Sequence, residues 1–244
     1  MAAERVIAGG GAAAAGAGRG WLRWVPTLTL VLLIGPVAAG LVGAALPAFG
    51  YMPALGGEAF GLAPWRRLFD TPGVGEMVRL SAVTGIATTM ISLAVVILFC
   101  AAWHGTPVFA RIQRLLSPLL SVPHVTVAFG LAFLLAPSGW LVRLVSPWAT
   151  GFERPPDVIV VQDPEGLALI AGLVVKEIPY LFLMTLAALG QADAVRVRTL
   201  ARTLGYGPVT AWLKAVFPRV YPQIRLPVYA VLAYGVSVVD VALV

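Results

Sequence analysis

Few side chains in this sequence are equipped for chemistry, and most of those few lie inside apolar runs. Lys176 and Glu177 are adjacent within the run 166–189, His124 follows Pro123 within the run 115–136, and Asp240 lies in the apolar stretch 226–244. The one cysteine, Cys100, and the two histidines, His104 and His124, allow neither an internal disulfide nor a Cys/His metal cluster. No Ser/His/Asp arrangement and no carboxylate pair suited to acid–base work is legible. A phosphate-binding loop needs glycines leading to Lys and then Ser or Thr, whereas Lys176 and Lys214 are followed by Glu177 and Ala215. The sequence therefore predicts no catalytic residue, no cofactor, no bound metal and no hydrolysis of ATP by this chain. Charges deep in an apolar span are costly and seldom face lipid, so Lys176 and Glu177 are expected to face a bundle interior. There they either pair with neighbouring helices or line a pathway, and since adjacent helical positions diverge by about 100° they need not pair with each other. His124 reads as an interhelical hydrogen-bond donor or a pathway residue, and Asp240 as a similar group near a membrane interface.

The elements that must position these residues are membrane spans. Apolar residues make up 59% of the chain, charged residues only 11%, and the mean hydropathy is +0.91, too apolar to clothe a soluble globule. The apolar residues cluster into runs at 25–46, 80–103, 115–136, 166–189 and 226–244, each near the roughly 20 residues a helix needs to cross the hydrocarbon core. No alternating short strands suggest a barrel, so an all-α membrane protein of about five transmembrane helices is predicted. The first run is longer than the apolar region of a signal peptide and is expected to be retained as an anchor. Residues 1–24 form an Ala/Gly-rich tail predicted to be disordered. Ser81, Gly85 and Thr89 recur every four residues, a spacing that permits close helix contact, and Pro36, Pro118, Pro123, Pro179 and Pro227 are expected to kink their spans.

Charge orients the chain. The tail, 102–114 and 190–225 carry Arg5, Arg19, Arg23, Arg111, Arg114, Arg196, Arg198, Arg202, Lys214, Arg219 and Arg225, and the opposite segments only Arg66, Arg67, Arg79, Arg143 and Arg154. The positive-inside rule makes the first set cytoplasmic, with the amino terminus inside. The net charge of +6 is thus a topology signal, and no basic stripe with interleaved aromatics points to nucleic acid. The acids of the outer segments 47–79 and 137–165, Asp163 among them, read as solvated loop residues, with an outer rim that could contact a delivery protein.

The loop 190–222 is long for a linker and is patterned. Val197, Leu200, Ala201 and Leu204 form one apolar stripe on a short helix, and Gly205 supplies a left-handed stop. Pro208 opens a second short helix, which Pro218 and Pro222 are expected to end. Such a stripe suits either a protein partner or the lipid headgroups. The stretch from Thr199 to Pro218 resembles the EAA loop of binding-protein-dependent ABC transporter permeases: Glu-Ala-Ala, three residues, Gly, nine residues, an aliphatic, any residue, Leu, Pro. Thr199, Leu200 and Ala201 stand for the opening triplet, Gly205 for the glycine, Ala215 for the aliphatic, and Phe217 and Pro218 for the closing pair; Arg202, Thr203, Leu204 and Pro208 add to the similarity. The acidic first position is Thr199 here, so a salt bridge from it to the ATPase is either lost or supplied by another residue such as Asp193. Over about residues 60–244 the resemblance implies an importer permease in the inner membrane of a bacterium. It implies a coupling helix docked on a cytoplasmic ATPase dimer, a second permease half and an extracytoplasmic solute-binding protein. Similarity to the thiamine, ferric iron and polyamine subgroups implies a small cargo such as thiamine, another small cation or a metal complex. Six-helix members carry two spans after the loop, so the chain reads as one helix short of six, a fragment or the amino-terminal half of a fused permease. The rival readings are an ion-gradient-driven secondary transporter using Lys176, Glu177 and Asp240, and a membrane scaffold that transports nothing.

Overall fold

The apolar runs form helices in the computed structural model, which describes residues 22–157 and 163–238. Among these residues the regular structure is helical, with a single isolated bridge between Met52 and Gly57, and the fold is all-α as the sequence predicts. Four helical segments are long and apolar enough to cross a membrane: Leu22–Ala48, Val74–Trp103, His124–Val145 and Leu167–Gln191. Two compact units divide at Val74 and Gly75.

In the first unit α1 (Val25–Ala48) follows a 3-10 turn at Leu22–Trp24 and runs through Pro36 and Pro47 with no buried residue. It is apolar on every face, as a helix surrounded by lipid must be. The bridge and the left-handed Gly50 and Gly56 then form a compact turn in which Tyr51 stacks on Phe60, 5.0 Å between ring centres, before the short α2 (Ala63–Asp70).

The second unit begins within α3 (Val74–Trp103), which buries small and hydroxylated residues, Thr84 to Ser92, and then apolar ones, Val96 to Ala101. Small side chains let a neighbour approach: a Cβ on Gly85 would lie 2.8 Å from the Val236 nitrogen and 3.0 Å from the Gly235 carbonyl carbon. The buried Thr89 hydroxyl is satisfied within its own helix by the Gly85 carbonyl, at 2.7 Å. α4 (Pro107–Leu116) starts at Thr106, whose hydroxyl accepts from the Phe109 N–H.

The run predicted as one span over 115–136 is broken. After α4 comes a 3-10 turn at Ser117–Ser121, then Val122 and Pro123 in extended conformation, and only then α5 (His124–Leu135). Pro118 and Pro123 withhold two backbone donors within a turn and a half, and the residue before a proline is disfavoured in helical conformation, so the helix stops rather than kinks. A short α6 (Trp140–Val145) follows.

α7 (Leu167–Gln191) continues through Pro179. Asp163, read from sequence as a solvated loop acid, caps it: its carboxylate accepts from the Leu167 and Ala168 N–H groups at 2.7 and 2.8 Å. Asp163→Ala is expected to cost about 1 kcal/mol, the ordinary worth of such a cap, read as a lower melting temperature in detergent.

α8 (Ala194–Thr203) and α9 (Pro208–Ala211) lie within the predicted loop. The second loop helix does not end at Pro218. A π-turn at Trp212–Val216, closed by the Phe217 N–H on the Trp212 carbonyl, leads into α10 (Phe217–Ser237), which contains Pro222 and Pro227. The wider π-turn moves the preceding carbonyls clear of the Pro218 ring, so the chain turns on through the proline instead of stopping. The fifth predicted span, 226–244, starts inside α10; its described part, 226–238, is shorter than a bilayer crossing, and Asp240 lies outside the described residues, as does the tail through residue 21.

The core joins the spans to the loop elements. Phe99, Phe109 and Phe182 meet with ring centres 5.3–5.8 Å apart, and Trp212, Val216 and Val220 are fully buried in the same cluster. The π-turn is thus anchored in the body of the protein.

Candidate functional site

Two places gather the residues singled out above. The first is α8. Asp193, at left-handed φ +47°, starts it, and Gly205, at φ +88°, ends it. The Gly205 N–H donates to the Arg202 carbonyl at 3.0 Å, and a side chain there would meet open space, so glycine is needed for conformation and not for room. The predicted apolar stripe divides lengthwise. Val197 and Ala201, with Ala194, are buried in the protein's own core, whereas Leu200 is 57% and Leu204 78% exposed. This corrects the reading of Val197 and Ala201 as part of an uncovered face: helix positions three and four apart share a face, but the core reaches only one edge of it.

Beside the exposed edge lies a groove of about 520 Å³, lined by Leu200, Leu204, Asp193, Arg196, Tyr206 and Arg219 among others. Lys214 Nζ sits 5.2 Å from the centre of the Tyr206 ring, which stiffens the far wall by a cation–π contact. Thr199 and Arg202 are exposed, and the Thr199 hydroxyl is spent on the Val195 carbonyl at 2.9 Å. Pro208 is exposed at the start of α9, and Phe217 packs between Trp212 and Tyr221 ahead of the exposed Pro218. The arrangement offers an apolar ridge beside a basic groove, on a helix bounded by two left-handed residues.

The second place is the break between α4 and α5. Lys176 and Glu177, each 5% exposed, project from α7 against it. Lys176 Nζ donates to the carbonyls of Leu119 at 2.7 Å, of Leu120 at 3.3 Å and of Val122. The Leu120 and Val122 carbonyls are left without main-chain partners by the interruption, the Leu119 carbonyl also accepts from the Val122 N–H at 3.3 Å, and the open end of a helix is its negative end. Glu177 Oε1 lies 3.3 Å from Nε2 of His124, the first residue of α5. The two charges do not pair with each other; one holds the end of the incoming segment and the other the start of the outgoing one. A cavity of about 310 Å³ opens beside them, lined by Leu120, His124, Glu177, Tyr180 and Tyr234 among others, with the His124 and Tyr234 rings 4.7 Å apart.

Sequence reasoning did not find this clamp. The spacing of Pro118 and Pro123 was the available signal, since two prolines this close free carbonyls that a long cationic side chain from a neighbouring helix can reach.

These features define a polytopic helical membrane protein with a short helix exposed along one edge and a charge-clamped break ahead of one span. No protein-family model matches the chain. It is similar to the inner membrane ABC transporter permease protein YnjC of Escherichia coli (strain K12), 29% identical over 224 residues, and its apolar helical fold fits a permease. The alignment covers 91% of this chain and 40% of that relative, so the chain spans less than half of the relative's length.

Proposed function

We propose that the chain is the membrane-spanning permease part of an ATP-binding-cassette importer in a bacterial inner membrane, with its amino terminus and residues 190–222 in the cytoplasm. The observation that carries this reading is the exposure of Leu200 and Leu204 on a helix whose opposite edge is anchored in the core, within the stretch that resembles the EAA loop. The similarity to an ABC transporter permease supports it. On this reading the end of α8 and its stop, from Thr199 to Gly205, dock on one subunit of a cytoplasmic ATPase dimer. A second permease half completes the pathway, and an extracytoplasmic binding protein delivers the solute. Pro208, Phe217 and Pro218 set the rigid return into α10.

The cargo is a small solute, with a thiamine-like molecule, another small cation or a metal complex as the class that the sequence resemblance suggests. The Glu177 carboxylate and the aromatic walls of the 310 Å³ cavity suit a cation. Lys176 has its three N–H groups on carbonyls, so its part there is to hold the break rather than to meet the solute.

Leu200→Asp with Leu204→Asp tests the docking. Both side chains are exposed, so the variant is expected to fold as the wild type, while the ATP-hydrolysing subunit no longer co-purifies, a loss of affinity of about tenfold or more for two apolar anchors. Retained co-purification would refute the docking surface. Uptake that survives ATP depletion but collapses with the proton gradient would instead favour an ion-coupled transporter built on the Glu177–His124 pair.

A further inference from the structure

α8 hangs between two left-handed residues, Asp193 and Gly205. Besides its short chain connections to α7 and α9, the helix is joined to the rest of the protein by attachments along its sides. One is the apolar inner edge, whose dispersed contacts can slide. The other is a single directional tie: Arg198 Nη1 donates to the main-chain carbonyl of His104 at 2.6 Å, joining residues 94 positions apart.

The acceptor lies one residue beyond Trp103, at the carbonyl end of α3, where the helix leaves its last acceptors unpaired and partially negative. The guanidinium lies against the turn that follows: Gly105 has φ +83°, and a Cβ there would be in ordinary contact with Arg198 Nη2 at 3.6 Å. The His104 ring packs edge-on against Phe109, 5.3 Å between centres, and burial first, then the Arg198 charge, hold its pKa below the ordinary histidine range. A neutral imidazole at neutral pH leaves the guanidinium without a like charge beside it.

The far part of α3 touches α10 backbone to backbone at Gly85 and Gly235. Between that contact and the tie α3 is packed in the core at Val96 to Ala101, so a shift of its tied end is passed along the helix together with that packing. The stretch from Gly85 to Trp103 is about 27 Å at 1.5 Å per residue.

We infer that Arg198 is a positioning residue for transport: it ties the docking helix to the end of α3, so that movement of α8 is passed along α3 past the Gly85–Gly235 contact. The inference rests on the permease reading, and the test separates the two. Val78, 62% exposed, lies on α3 beyond Gly85, and the one native cysteine, Cys100, is fully buried. Val78→Cys is introduced into the full-length protein, purified with its ATP-hydrolysing subunit and reconstituted in liposomes. Its labelling rate by a membrane-impermeant maleimide is then compared without nucleotide and after trapping with ATP and vanadate.

With Arg198 present the rate is expected to change by about fivefold. Arg198→Ala is expected to abolish the change while the ATP-hydrolysing subunit stays bound, and Arg198→Lys, which keeps a charged donor, to restore at least part of it. His104→Ala leaves the acceptor carbonyl in place and is expected to keep the change. An Arg198→Ala complex that responds like the wild type overturns the tie and leaves the permease reading standing. Loss of the ATP-hydrolysing subunit from that variant also overturns it, because Arg198 would then belong to the docking surface itself. Failure of any such subunit to co-purify with the unmodified protein removes the permease reading and the inference with it.

Discussion

Lys176→Met is expected to be the most damaging single substitution in this protein, lowering its stability in detergent by on the order of 3–5 kcal/mol. The methionine fills similar space, so the loss is not one of packing. It leaves the Leu120 and Val122 carbonyls without a donor, leaves the Leu119 carbonyl with only the Val122 N–H at 3.3 Å, and removes the cation beside Glu177. Each stranded acceptor costs about 1–3 kcal/mol, and part is recovered as the break relaxes or admits water. In a thermal-shift measurement by size exclusion the folded peak is expected to vanish roughly 10 °C or more below the wild-type temperature. Lys176→Arg, which keeps charge and several donors but is bulkier, is expected to fall between the two. Glu177→Gln keeps a hydrogen-bond acceptor for His124 and is expected to cost less than Lys176→Met, since one contact rather than three is altered. A Lys176→Met protein that melts with the wild type would show that the carbonyls of the break find other partners and that the lysine has a different task.

Gly85→Leu is expected to have the next largest effect. The first atom of any side chain at this position falls 2.5 Å from Val236 Cγ2, 2.8 Å from the Val236 nitrogen and 3.0 Å from the Gly235 carbonyl carbon. The methyl group can rotate away, but the backbone of α10 cannot move without parting from α3. Overpacking of this kind costs typically about 1–3 kcal/mol and more where main chain must shift. Gly85→Ala is expected to lie at the low end of that range and Gly85→Leu above it. Gly35, in α1 with open space about it, gives the comparison: Gly35→Ala is expected to leave the melting temperature unchanged or slightly raised. The paired measurement checks that crowding against α10, and not loss of glycine as such, is responsible. Equal melting temperatures for Gly85→Leu and wild type would place the two helices farther apart than they are here.

Much of the architecture was legible because it follows from local rules. Length and apolarity dictate helices in lipid, since no other open structure satisfies its own backbone there. The small-residue repeat at Ser81, Gly85 and Thr89 marked a face of close approach, and Gly85 is where α3 meets α10. The stop at Gly205 was legible for the same kind of reason: a left-handed residue ends a helix most cheaply when it has no Cβ, and its neighbours require that conformation whatever lies farther away.

Proline was a weaker guide. Pro118 and Pro123 broke a span that was expected only to kink, while Pro218 and Pro222 failed to end a helix, because a π-turn upstream supplied the room the ring needs. Both outcomes depend on which carbonyls can be re-partnered, and that is a matter of neighbours in space.

What the sequence alone determined is the kind of solvent the chain needs, the helical form it takes there, and a short amphipathic helix ended by Gly205. Tertiary structure decided which edge of that helix is spent on the core and which is left open at Leu200 and Leu204, and what Lys176 and Glu177 hold. Those choices rest on contacts such as Lys176 to Leu119, 57 positions apart, and Arg198 to His104, 94 apart. Periodicity reports neighbours within one or two turns, whereas partners at these separations are chosen by the packing of whole helices.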